Sequence, residues 1–175
     1  MGQDESAFSP LVWGVKTSLV NYVRRLEDGE VAIQPPAKVV PPVAGSSEGE
    51  GERFAFAPEP QGSHFDPATC TGHLRFQGSV VFSGHFNTLR VALADPRLDL
   101  TEGQGTLSVR TSGAIGTPRW DAIATAKVRS TSSPAQPGLA VDLFLTSAGR
   151  LLLGQQYPVG QALAPATVAA VHAIS

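Results

Sequence analysis

Cysteine occurs once in the 175 residues, at Cys70. A lone thiol excludes an intramolecular disulfide framework and any cysteine-rich zinc or iron–sulfur site. Charge is also sparse: 16% of residues are charged and the net charge is −2, so there is no basic footprint for nucleic acid or for an anionic membrane surface. No apolar run approaches the ~20 residues needed to span a bilayer. The opening MGQDESAFSP has neither the charged nor the hydrophobic part of a signal peptide, which leaves a cytoplasmic chain or the mature segment of a longer one. What is plentiful is glycine and proline, 18 and 14 residues, spread between short apolar runs. They read as turns punctuating many short strands. The length suits one domain able to bury ~70% of its unfolded surface.

Val12, Val15, Leu19, Tyr22 and Leu26 recur at spacings of three and four, which predicts a helix over Leu11–Leu26. Ser9 would cap it, Pro10 would suit its first turn, and Glu27, Asp28 and Gly29 would stop it. Tyr22 falls on the inward stripe of that helix. From Pro35 to Gly51 the chain is too rich in proline, glycine and serine for regular structure and is expected to be a surface loop. A strand at Glu52–Ala57 is followed by a second irregular connection, PEPQGSHFDPATCTG.

The clearest alternation runs from His73 to Phe86, with Leu74, Phe76, Gly78, Val80, Phe82, Gly84 and Phe86 on one side. This exceeds an ordinary strand, so Gly78 or Gly84 is expected to mark a bulge or bend. Leu89, Val91 and Leu93 lead to a turn at Asp95 and Pro96, with further strands around Leu107, Trp120–Val128 and Leu139–Leu145 and a short helix over Thr146–Leu153. The pattern predicts a mainly β, α+β fold: two antiparallel sheets in a sandwich-like arrangement, an N-terminal helix and a short C-terminal helix. Residues 1–10 are expected to be a tail and 11–175 a single domain.

Candidate chemistry is thin. The histidines at 64, 73, 85 and 172 lack the spacing of a helical or finger-type zinc site, although His64 and His73, flanking Asp66, could meet in space. There is no G-x-S-x-G elbow, and Ser83 and His85 would stand ~7 Å apart on one strand, long for a nucleophile and its base. GQGTLSV lacks the lysine and hydroxyl of a phosphate loop. An enzyme has little support. What remains is Tyr22 on a helix stripe, whose plain reading is a core residue with a bonded hydroxyl, and His85 at a glycine-flanked strand end.

LVWGVKTSLVNYV at Leu11–Val23 resembles the opening W-G-V/I-K-x-S-F-x-x-Y motif of the HtaA-type haem-binding domain of actinobacterial haem-uptake proteins. Three later blocks resemble that family in the same order: FDPATCTGHLRFQGSVVFSGH, LRVALADPRLDL and LTSAGRLLLGQQYPVGQALAPATV. The resemblance covers Leu11 to Val168. It implies a haem-binding domain of two antiparallel sheets with flanking helices, in which Tyr22 ligates the iron of ferric protoporphyrin IX and His85 supports it by hydrogen bonding. Ser18 and Tyr157 match positions expected to contact haem or its propionates. Leu19 stands where phenylalanine is common and Asn87 where glycine is usual.

A phenolate is a hard anionic ligand that favours ferric iron, and a hydrogen bond to its oxygen tunes such a ligand. Ser18 precedes Tyr22 by one helical turn and shares its face. Phe86, Val20 and Val23 are candidate apolar walls for the porphyrin. The resemblance implies a non-enzymatic carrier at the cell surface or outside it. Its partners would be haem, other haem-transfer proteins or a host haem protein, with a homodimer compatible. An alternative of another class is a β-sandwich interaction or adhesion module that loads no haem.

Overall fold

The computed structural model describes residues 8–41, 51–112, 118–131 and 138–171. His172, most of the expected tail and the middle of the proline-rich segment lie outside the described residues. Strand β1 (Leu11–Trp13) is followed by helix α1 (Thr17–Arg25), β2 (Glu30–Gln34), β3 (Lys38–Val40), β4 (Arg53–Asp66), β5 (Thr71–Gln77), β6 (Ser79–Gly84) and β7 (Leu89–Thr101). Then come β8 (Gln104–Ser112), β9 (Pro118–Thr131), β10 (Leu139–Leu145), helix α2 (Ser147–Leu152) and β11 (Ala166–Val168). Neither helix is long and apolar enough to cross a membrane.

The expected two-sheet sandwich is corrected to a closed barrel. Eight strands form an antiparallel ring in the order β1, β4, β5, β7, β8, β9, β10, β11 and back to β1. The pairings of β1 with β11 and of β7 with β8 close it. Strands β6 and β2 extend from β7, and β3 flanks β4. One-sided alternation is common to a sandwich face and a barrel wall, so the burial pattern alone did not separate them.

The predicted N-terminal helix is also shorter than its spacing suggested. Leu11 and Trp13 are buried on one face of β1, between Phe56 or Phe54 of β4 and Val168 or Ala166 of β11. Trp13 Nε1 donates to the Ala164 carbonyl at 2.8 Å. Val15 then turns the chain at φ 63, and α1 begins with Lys16 as its N-cap, not Ser9. Helix α1 packs against β2 and β6 and buries Leu19, Val20 and Val23 in the core.

The long alternating run behaves as expected up to Gly84: Leu74, Phe76, Val80 and Phe82 are buried. Gly78, at φ 121, breaks it into β5 and β6. A methyl group there would fall 2.6 Å from the backbone nitrogen of Ala37. Opposite this break, Asp95 does not end a strand. It is a left-handed residue inside β7, and its carboxylate accepts the Gly78 N–H at 3.1 Å. The expected connection after Ala57 is likewise strand, because β4 runs on to Asp66 through a register shift between Glu59 and His64. Helix α2 falls where expected, capped by the Thr146 hydroxyl.

Candidate functional site

The outer face of α1 is set by the residues that its inner face buries. With Leu19, Val20 and Val23 inside, Ser18 and Tyr22 point outward one turn apart. Tyr22 is 41% exposed, so it does not lie on the inward stripe. Its hydroxyl meets His85 Nε2 at 2.5 Å, and the two rings lie 5.8 Å apart at 48°. One turn back, the Ser18 hydroxyl meets the Tyr157 hydroxyl at 3.0 Å. Lys16 Nζ sits 5.6 Å from the Tyr157 ring centroid and donates to the Ala162 carbonyl at 3.0 Å. The helix therefore gathers two pairs, Tyr22 with His85 and Ser18 with Tyr157, from segments far away in the sequence.

His85 arrives on an unusual turn. His85, Phe86 and Asn87, between β6 and β7, all have positive φ, at 50, 56 and 65. Left-handed backbone costs L residues roughly 1–2 kcal/mol each, with asparagine the most tolerant of the three. The glycine usual in the resembling pattern at position 87 is thus explained by backbone geometry, and Asn87 is its nearest substitute. Asp28, in the link between α1 and β2, holds the turn. One carboxylate oxygen accepts the Phe86 N–H at 2.6 Å and the other accepts the His85 N–H at 3.1 Å. The Phe86 amide is the largest influence holding the Asp28 carboxyl below its ordinary range, and the His85 amide and the His85 charge act in the same direction.

Phe86 is 96% exposed, whereas six of the eight phenylalanines are fully buried. An aromatic ring held out on a strained turn beside the Tyr22–His85 pair is an apolar surface in need of a cover. Val20 and Val23, expected as porphyrin walls, are 1% and 0% exposed and belong to the core. Leu19 is buried with them, so its replacement of phenylalanine alters packing and not this surface. A cleft of about 550 Å³ lies elsewhere, between Pro35, Arg75, Gly78 and Trp120, and none of Ser18, Tyr22, His85, Phe86 or Tyr157 lines it. Tyr22 and Phe86 are both exposed beside the Tyr22–His85 contact.

His64 and His73 do meet, as register partners on β4 and β5 with rings 6.3 Å apart. Among the described residues, no group of three or more His, Cys, Asp or Glu side chains could hold a metal ion. Sequence reasoning missed Asp28, read only as a helix stop, and gave Lys16 no functional role beyond its place in the opening motif. Their partners lie 57 and 146 residues away.

The family model HtaA, described as Htaa, matches residues 9–169. Three solved structures from Corynebacterium glutamicum share the fold. The N-terminal domain of HtaA is 23% identical with a TM-score of 0.69, over 95% of this chain and 98% of that one. The C-terminal domain of HtaA is 21% identical with a TM-score of 0.66, over 92% and 95%. The heme binding protein HtaB is 17% identical with a TM-score of 0.66, over 92% and 91%. No curated protein matches the chain.

Proposed function

The chain belongs to the HtaA family, and on that premise we propose that it binds ferric haem on the open surface of α1, through Tyr22 as axial ligand supported by His85. The observation that carries this is the 2.5 Å contact between the Tyr22 hydroxyl and His85 Nε2 on a 41% exposed tyrosine. A phenol ligates iron as its anion and must shed a proton. His85 Nε2 stands in place to take it, and the resulting imidazolium then donates back to the phenolate oxygen. Phe86 supplies an apolar ring for the porphyrin face or edge, while the Ser18 and Tyr157 hydroxyls and the Lys16 ammonium supply donors for propionates. When bound, haem supplies the ferric Lewis acid that this donor set fits.

The arrangement favours carriage over catalysis. One protein ligand on an open surface, held by a single hydrogen-bonded partner, permits capture and hand-over to another haem protein. We place this work at the cell surface or outside it, with a host haem protein or medium as source and envelope haem-transfer proteins as recipients. That placement rests on the family.

Adding ferric haem to the apoprotein should shift the Soret band and produce the high-spin charge-transfer bands of tyrosinate haem. Tyr22→Ala should abolish these features. His85→Ala should weaken affinity by roughly 10–100-fold, the usual effect of losing a hydrogen-bond partner of the ligating atom. Wild-type binding by Tyr22→Ala would overturn the ligand assignment, and no binding by the wild type would favour an interaction module that carries no haem.

A further inference from the structure

We propose that Asp28 is a positioning residue of this site: by holding the His85 and Phe86 amides, it sets the turn that delivers the His85 ring to the Tyr22 phenol. Its importance for haem rests on the function proposed above, whereas the positioning itself is a property of the protein alone. The two oxygens of Asp28 are divided between two donors, with Phe86 N–H at 2.6 Å and His85 N–H at 3.1 Å. These are the first two of three successive left-handed residues, none of them glycine. Backbone of that kind persists only where its surroundings over-determine it. The other backbone bond across the turn, from Thr88 N–H to the His85 carbonyl at 3.1 Å, lies within it and does not tie it to the helix.

Asp28 does tie it. Tyr22 and Asp28 belong to one stretch of chain, α1 and the link that leaves it, so the segment that presents the phenol also clamps the turn that presents the imidazole. The fit is close. A methyl group at Gly84 would fall 2.5 Å from Leu26 Cδ1 and 3.9 Å from Asp28 Oδ1. The chemistry further requires a carboxylate. Both bonds come from N–H donors, and an asparagine has only one acceptor oxygen, its amide nitrogen being itself a donor. With its oxygen on one amide, asparagine sets its own N–H donors against the other, and alanine holds neither.

The test needs both apoprotein and haem complex. In wild-type apoprotein, nuclear Overhauser contacts between the His85 and Tyr22 rings should be present and the Phe86 amide protected from exchange. Asp28→Ala should lose the ring contacts and speed Phe86 exchange at least about 10-fold. Asp28→Asn, which preserves size and removes one acceptor, should fall between the two and serves if the alanine variant does not fold. With haem, His85→Ala should cost about 10-fold or more in affinity in the wild-type background, and less than about 2-fold once Asp28 is alanine, because the ring is already displaced. Ring contacts that survive in Asp28→Ala, or an undiminished effect of His85→Ala there, would overturn the proposal. If wild type takes up no haem, the functional reading fails while the apoprotein measurements still decide the role of Asp28.

Discussion

At the scale of single residues, two titratable groups among the described residues depart clearly from their ordinary behaviour, and each yields a test. The Asp28 carboxyl lies below its ordinary value of 3.8, first through the Phe86 amide and against a partial desolvation that pushes it up, then through the His85 amide and charge. A carboxyl lowered by folding contributes stability that is complete above its unfolded pKa and is lost as pH falls through its folded one. The Phe86 amide resonance should therefore titrate with Asp28 at a midpoint below 3.8. A midpoint at or above that value would mean that the clamp is not formed in solution. Cys70 departs in the other direction, because burial pushes its thiol above the ordinary 9.0. Its thiolate is scarce at neutral pH, and the thiolate is the reactive form. Alkylation by iodoacetamide at pH 7 should be slower than that of a free cysteine peptide, and a rate equal to the peptide's would contradict the burial.

At the scale of elements, α1 shows what periodicity can and cannot reveal. Spacings of three and four found the helix but put Tyr22 on its buried stripe, where it is 41% exposed instead, and their range also took in Leu11 and Trp13, whose burial comes from strand partners at Val168 and Phe54. A window of sixteen residues holds no sign of a partner over 150 positions away. The motif resemblance identified Tyr22 and His85 together, and the structure brings them into contact. Asp28 escaped both methods because its role is set by the backbone of a distant turn. The length of the run called for a break at Gly78 or Gly84 and the break falls at Gly78, whereas Asp95 and Pro96 carried the residues of a turn and became a bend within β7. The two faces of α1 should separate by mutation. Leu19→Ala, at 2% exposure, should lower unfolding stability by about 2–5 kcal/mol, while Ser18→Ala on the open face should stay within about 0.5 kcal/mol. Chemical denaturation measures both, and comparable losses would place the helix face wrongly.

At the scale of the whole molecule, the barrel divides into a ring and its attachments, and the site sits where they join. Each ring strand has a partner on both edges, and a closed ring leaves no frayed edge from which to open. Among the described residues, strand β2 pairs only with β6 and contains no buried residue, and β3 pairs only with β4. Segments with few buried contacts open locally, at free energies far below that of global unfolding. Hydrogen exchange should accordingly be fastest in β2 and β3 and slowest in β8 and β9. Helix α1 rests on β2 and β6, and the Asp28 link leads directly from it into β2. A haem ligated by Tyr22 and covering Phe86 would join α1 to the β6–β7 turn, and so stabilise the attachments more than the ring. Adding haem should therefore slow exchange in β2 and at Phe86 while leaving β9 nearly unchanged. Uniform slowing across all strands would indicate stabilisation of the global fold, and slowing confined to the cleft residues near Arg75 and Trp120 would move the binding surface there.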